Sequence, residues 1–185
     1  TRIFSQIKDY LVAGQLPLHN GHKEINLEGI KIGEEHFVRV EKIKRKATLC
    51  RSDGRKLDVN FFLSPYAKGH SGEELILDIL NSDSTFLPIE DIRTGAIIFF
   101  NKGSVMSLEI AERDLLDETL LSQEKRVQVE LTNNETLNMS LFLEMPEERS
   151  RVSDYLNSPP RFIYLCGKEM DIILNKAFVF SVKDL

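Results

Sequence analysis

Apolar and polar residues alternate along one stretch in each half of the chain. This period of two is typical of a β-strand that buries one face. A tight-turn signal precedes each stretch, Asp53-Gly54 in the first half and Asn133-Asn134 in the second. Asp, Asn and Gly tolerate the backbone angles of short hairpin turns. The pattern therefore predicts two β-hairpins, with inward residues Leu57, Val59, Phe61 and Leu63 in the first and Leu137, Met139, Leu141 and Leu143 in the second.

The two hairpins open two copies of a longer repeat. The aligned blocks are 47–63 with 127–143 at an offset of 80 residues, 78–89 with 154–165 at an offset of 76, and 98–108 with 172–182 at an offset of 74. The second pair reads DILNSDSTFLPI against DYLNSPPRFIYL. The blocks keep their order and gaps fall only where loops are expected, so we predict a duplicated unit.

Each unit has a short helix between its second and third strands. In the first, Ser71-Gly-Glu-Glu has the form of a capping box, and in the second Pro159-Pro160 ends the helix. A third strand follows, and then two strands joined at Asn-Lys. A sheet this short buries a core only by curling. We predict a mainly β (α+β) fold of two tandem five-stranded small barrels or bent sheets, each with a helix inserted between strands 2 and 3.

The repeat divides the chain into four parts. Residues 1–43 carry an N-terminal helix and an echo of the repeat, in which Gly29–Ile43 supplies the two closing strands of a possible partial third unit. The first hairpin of that unit is expected before Thr1, or another element fills its place. Residues 44–110 and 124–185 are the two full units. Residues 111–123 form an acidic linker helix with leucines at helical spacing.

Composition narrows the class of protein. Of 185 residues, 42% are hydrophobic and 29% charged, which is ordinary for a globular protein without membrane spans. The net charge of −5 gives no general attraction to nucleic acid or to an anionic membrane. Cys50 and Cys166 are far apart and lack metal-ligand spacing, so we expect buried free thiols and a cytoplasmic location rather than a disulfide.

Several motifs resemble an uncharacterised bacterial domain family with Sm-like character. The matching segments are VQVELTNNETLNMSLFL at 127–143, SDYLN at 153–157, FLPIED at 86–91 and the Asn-Lys pairs at 101 and 175. The resemblance implies a small β-barrel present as a tandem repeat, and it implies no activity. The inserted helix departs from Sm proteins, and their Asp-x-x-Asn site and Arg-Gly turn are not evident, so RNA binding is not carried over.

No catalytic pattern is present. The chain has no nucleophile motif, no phosphate-binding glycine loop and no dinucleotide fingerprint. His19 and His22 have a spacing compatible with zinc, but a third ligand would have to come from elsewhere and a solvated surface loop is the favoured explanation. We therefore predict no enzyme activity, no cofactor and no metal.

Two groups of polar residues are candidate interaction sites. The first is a basic hairpin within 42–56, either a phosphate-facing stripe or a lysine-rich edge strand that discourages aggregation. Its residues are Lys42, Lys44, Arg45, Lys46, Arg51, Arg55 and Lys56. The second group comprises the turns Asn101-Lys102 and Asn175-Lys176, which are structural turns or ligand contacts.

The sequence thus favours a non-catalytic tandem small-barrel protein that binds other proteins or self-associates as an adaptor or regulatory module. The open edges of short sheets invite strand addition. The alternative is Sm-like RNA binding through the basic hairpin 42–56. No membrane partner is expected.

Overall fold

A computed structural model describes residues 41–114, 123–143 and 151–185. The predicted N-terminal helix, the partial third repeat before residue 41, and His19 and His22 lie outside these ranges. Most of the predicted linker helix does so too, and Gln123 already belongs to a strand. Residues Lys42–Leu185 form one compact unit.

The first five strands form an antiparallel set in the order β4-β3-β2-β1-β5. They are β1 (Ile43–Arg51), β2 (Lys56–Leu63), β3 (Phe86–Asp91), β4 (Ile97–Asn101) and β5 (Val105–Ile110). β1 and β2 make the predicted hairpin, in which Ala47 pairs with Val59 and Leu49 with Leu57. Gly54 closes the turn at φ 81°, a conformation that favours glycine. The alternation of β2 accordingly buries Val59, Phe61 and Leu63.

The second five strands are β6 (Gln123–Leu131), β7 (Thr136–Leu143), β8 (Phe162–Leu165), β9 (Asp171–Asn175) and β10 (Val179–Asp184). β10, β6 and β7 form a three-stranded sheet, while β8 and β9 extend the first sheet through pairing of β9 with β5. An isolated antiparallel bridge between Ser140 and Cys166 connects β7 to the end of β8. Followed through that bridge, the second set runs β9-β8-β7-β6-β10, the same order as the first.

Two short helices lie between strands, α1 (Ile76–Leu80) after β2 and α2 (Val152–Asn157) after β7. Single 3-10 turns, Lys102–Ser104 and Lys176–Phe178, join the last two strands of each set. The predicted capping box at Ser71 is wrong, because α1 begins only at Ile76. Asp78 provides the cap, and its Oδ2 accepts from the Leu75 backbone N–H at 2.9 Å.

The mainly β class is confirmed, but the expectation of closed barrels is wrong for the described strands, which form open sheets. The outer edge of β5 pairs with β9 instead of returning to β4. β1 lies between β2 and β5. The interpretation of the basic hairpin as a lysine-rich edge strand is therefore also wrong.

Two apolar clusters fill the compact unit, and neither is confined to one set of strands. The first contains residues of β1, β2, α1 and β5, together with Phe162, Tyr164 and Ile173 from the second set. The second contains residues of β6, β7, β8 and β9, together with Cys50 and Met106 from the first. Burial of a large apolar side chain contributes about 1.5–3 kcal/mol. Strands β5, β8 and β9 thus form a junction that stabilises both clusters.

No helix in the described ranges is long and apolar enough to cross a membrane.

Candidate interaction surface

The two Asn-Lys turns have closely similar geometry. Asn101 Oδ1 accepts from the Gly103 backbone N–H at 2.7 Å, and Asn175 Oδ1 accepts from that of Ala177 at 3.1 Å. Each asparagine thereby caps the 3-10 turn that follows it. The side chain of Asn175 is fully buried and its Nδ2 also donates to the Val105 carbonyl at 2.9 Å.

The lysines of these turns bind backbone carbonyls at the ends of the helices. Lys102 Nζ donates to the Ser82 carbonyl at 2.6 Å, and Lys176 Nζ donates to the Leu156 carbonyl at 3.0 Å. Burial lowers the pKa of both amines, because the charged form loses hydration. These contacts give the four residues of the Asn-Lys turns a structural task.

The basic side chains of the first hairpin lie beside carboxylates. Lys44 Nζ is 2.9 Å from both carboxylate oxygens of Glu90, and Arg45 is 3.1 Å from Glu73. The remaining pairs are Arg45 with Glu112 and Asp114, Arg51 and Arg55 with Asp53, and Lys56 with Glu109. Lys46 is exposed on β1. Paired charges present less positive potential to a phosphate backbone than the sequence suggested.

A cleft of about 390 Å³ lies beside Lys102, between the loop after α1 and the start of β8. Its two basic groups are already bonded, Lys102 to Ser82 and Arg161 Nε to Asn175 Oδ1 at 3.3 Å. Both cations are therefore bonded to neutral oxygens at the wall of the cleft.

The free strand edges differ sharply from the β5–β9 junction. Among the described strands, β4, β8, β7 and β10 end the two sheets, and β7 and β8 face each other through the Ser140–Cys166 bridge. That leaves β4 and β10 with an outer edge beside which no other described strand lies. Exposed aromatic residues lie on these two strands and on β3, the neighbour of β4: Phe99 on β4 is 50% exposed, Phe180 on β10 72% and Phe86 on β3 55%. Ile97 on β4 is 45% exposed. Large apolar side chains gathered at an unpaired edge are typical of an interaction surface.

The residues at the corresponding repeat positions in the junction are buried. Phe162 corresponds to Phe86 and is 0% exposed, Ile173 corresponds to Phe99 and is 0% exposed, and Met106 corresponds to Phe180 and is 4% exposed. The aromatic side chains at the free edges therefore have the character of residues that the same strands bury when paired.

A side-chain clamp holds the two halves of the junction together. Asn81, immediately after α1, donates from Nδ2 to the Phe162 carbonyl at 3.0 Å and accepts at Oδ1 from the Phe162 N–H at 2.9 Å. The corresponding residue Asn157, the last of α2, is exposed, and its Nδ2 donates to the Ser153 carbonyl of its own helix.

A polar network also ties the junction. Asp171 accepts from Arg113 Nε at 2.9 Å and from the Tyr164 hydroxyl at 3.0 Å. That hydroxyl accepts from the Asp114 N–H at 3.0 Å, and Asp114 Oδ2 accepts from the Ile76 N–H at 2.8 Å. Burial raises the pKa values of Asp114 and Tyr164.

The remaining reactive groups are structural. Cys50 and Cys166 are buried free thiols, as predicted. Burial raises the pKa of each to about 11, so both stay protonated and poorly nucleophilic near neutral pH. In the residues that the structure describes, no three His, Cys, Asp or Glu side chains form a group that could hold a metal ion.

The sequence interpretation singled out the Asn-Lys turns and the basic hairpin and missed the aromatic edges. Phe86, Phe99 and Phe180 look like ordinary core residues of short strands. Only the strand order reveals which strands have an unpaired edge. No protein-family model, no curated protein and no solved structure matches this chain.

Proposed function

We propose that this protein is a non-catalytic protein-interaction module that binds its partner by strand addition at the free edges of β4 and β10. The observation that carries the proposal is the contrast between exposed Phe86, Phe99 and Phe180 and their buried counterparts at the junction. An added strand satisfies backbone groups along the edge and covers alternate side chains.

The finer parts of the proposal come from the sequence. A duplicated, Sm-like five-stranded unit accounts for two sets of strands in one order, and a cytoplasmic location suits two free thiols. The proposal assigns no catalytic step to Asp114, Asp171 and Tyr164, whose bonds to one another, to Arg113 and to backbone tie the junction.

A capture experiment tests the proposal. The full chain is immobilised beside two variants, Phe99→Asp at the β4 edge and Tyr66→Asp in the loop after β2. Tyr66 is 79% exposed and belongs to none of β3, β4 and β10, so it is the matched control. Recovered proteins, including untagged copies of the chain, are purified and titrated against all three.

We expect a saturable partner that binds the wild type and Tyr66→Asp and loses at least tenfold in affinity for Phe99→Asp. The proposal fails if every recovered protein binds Phe99→Asp as tightly as the wild type.

RNA binding through residues 42–56 stays an untested alternative. A low-salt filter-binding titration with single-stranded RNA examines it directly, because phosphate contacts strengthen as salt falls. Saturable binding that Lys46→Ala weakens would move the function to the hairpin.

A further inference from the structure

We propose that the partner is a second copy of this chain, joined head to tail, with β10 of one copy pairing antiparallel with β4 of the next. The inference rests on the proposed function and deepens it by naming what covers the two free edges. Its template is the β5–β9 junction inside each chain. β5 and β10 occupy the same place in their sets of strands, and so do β4 and β9.

The internal junction gives the register of the proposed one. Inside the chain the antiparallel pairs are Ser107–Leu174, Leu108–Ile173, Glu109–Ile172 and Ile110–Asp171. Moved by the repeat offset of 74, they become Ser181–Phe100, Val182–Phe99, Lys183–Ile98 and Asp184–Ile97. Three of the four pairs keep the chemistry of the template: serine with a large apolar residue, two apolar residues, and an apolar residue with a carboxylate whose two sides are exchanged. In the fourth, Lys183 takes the place of Glu109 opposite an isoleucine. This match is independent of the exposed areas.

The second apolar cluster lacks the layer that completes the first. Phe162, Tyr164 and Ile173, from β8 and β9, close the first cluster. The first-cluster residues Val59, Ile76, Leu80, Val105 and Leu108 are at most 1% exposed. Their counterparts Met139, Val152, Leu156, Val179 and Val182 are only partly buried. Strands β3 and β4 of another copy, carrying Phe86 and Phe99, supply the same layer to the second cluster.

The helices show the same difference. α1 buries Ile76 and Leu80 and contacts β8, whereas α2 has no buried residue. The last residue of α2 is Asn157, the counterpart of Asn81. In the proposed contact Asn157 binds the backbone N–H and carbonyl of Phe86 in the next copy, as Asn81 binds those of Phe162.

Such an interface is heterologous, because two different surfaces meet. A linear assembly of any length has one unpaired β4 edge at one end and one unpaired β10 edge at the other. It therefore either continues to grow or closes into a ring, according to the rotation between successive copies. Blocking either edge stops growth, and the two blocked forms remain complementary to each other.

A complementation experiment on the full chain tests this. Phe99→Asp blocks β4 and Phe180→Asp blocks β10, and both positions are exposed in the chain. Light scattering of the wild type over a range of concentrations should give a mass that rises above that of the monomer. Each variant alone should be monomeric, and their equimolar mixture should have roughly twice the mass of either. Tyr66→Asp should behave as the wild type, and circular dichroism confirms that every variant is folded.

Three outcomes overturn the inference. The wild type is monomeric at every concentration, the mixture fails to form a dimer, or a singly blocked variant still dimerises through two copies of one edge. The first two leave the proposed function standing if another protein is captured in a manner that Phe99→Asp abolishes.

The register is tested by cysteine pairing. A chain carrying Val182→Cys is mixed with one carrying Phe99→Cys and oxidised. Directly opposed residues of antiparallel strands are within the reach of a disulfide, whereas residues shifted by one point to the other face. We expect an intermolecular disulfide for this mixture and at least a tenfold lower yield when Lys183→Cys replaces Val182→Cys. Equal yields would overturn the register. The wild-type chain, which has only the buried thiols Cys50 and Cys166, is oxidised in parallel to measure the background yield of intermolecular disulfide.

Discussion

The β5–β9 junction and the free edges of β4 and β10 are built from corresponding strands and differ in what covers them. At the junction, Phe162 and Ile173 are fully buried and Asn81 binds the Phe162 backbone. At the free edge of β4 and on the neighbouring β3, Phe99 and Phe86 are about half exposed, and Asn157 bonds within its own helix. The same strand order thus produces one buried strand–strand interface, at β5–β9, and two exposed edges of the kind that such an interface covers. This contrast supports the proposal that the protein completes its second apolar cluster with a neighbouring molecule.

The largest expected difference in stability is between substitutions at the corresponding phenylalanines Phe162 and Phe86. Phe162→Ala removes a fully buried ring from the first cluster and should lower the free energy of unfolding by about 3–5 kcal/mol. Phe86→Ala removes a half-exposed ring and should cost less than about 1 kcal/mol. Urea titrations are made at a concentration where light scattering gives the monomer mass. Equal losses for the two variants would show that the free edge is already covered within one chain.

The asparagine clamp should give the next largest difference. Asn81→Ala leaves the N–H and carbonyl of Phe162 without their partner, which costs about 1–3 kcal/mol. Asn157→Ala breaks a single bond on an exposed helix end and should change stability by less than about 0.5 kcal/mol. The same urea titrations measure both. A loss for Asn157→Ala as large as that for Asn81→Ala would remove the distinction between the two positions.

Substitution of the lysine in either Asn-Lys turn should lower stability by a similar amount. Lys102→Met and Lys176→Met each remove a cation that binds helix-end carbonyls, and each should cost about 1–2 kcal/mol. Thermal or urea unfolding measures the pair. If only one substitution lowers stability, the turns do not share a structural role, and the unaffected lysine becomes available as a ligand contact.

The smallest expected effect concerns the pH dependence of the junction. Burial raises the pKa of Asp114 above its ordinary value of 3.8. At a pH between the ordinary pKa of the unfolded chain and the raised pKa of the folded chain, Asp114 is ionised in the unfolded chain and still protonated in the folded one. This group therefore makes the free energy of unfolding fall as the pH rises.

Asp114→Asn keeps an acceptor for the Ile76 N–H and removes the titration. The stability of the wild type relative to the variant should therefore fall as the pH is raised from about 3.8 through the raised pKa. Urea midpoints for both proteins between acidic and neutral pH measure this. A difference independent of pH would mean that Asp114 titrates normally in the folded chain.

Local elements followed from the sequence with good accuracy. The β1–β2 and β6–β7 hairpins, the strands around Asn101 and Asn175, and the buried thiols lie where the patterns predicted. These features depend on neighbouring residues, because strand alternation and turn chemistry act over a few positions. The start of α1 was missed, since Asp78 competed with Ser71 as the capping residue and bonded to Leu75.

The candidate interaction surface was harder to predict from the sequence. The basic residues of 42–56 looked like an open stripe because their partners Glu73, Glu90 and Glu109 are distant in sequence. The aromatic edges carried no local signal, because Phe99 and Ile173 occupy the same kind of strand position and differ only in whether another strand lies beside them.

By itself, then, the sequence determined two similar sets of short strands, their hairpins and the turns that join them. The tertiary structure decided that β5 pairs with β9 and that strands of the second set complete the first apolar cluster. It also decided that no other strand of the described ranges lies beside the outer edges of β4 and β10. The physical reason is that the pairing of a strand edge depends on which other strand lies beside it. That neighbour comes from residues far apart in the sequence, so local sequence patterns do not specify it.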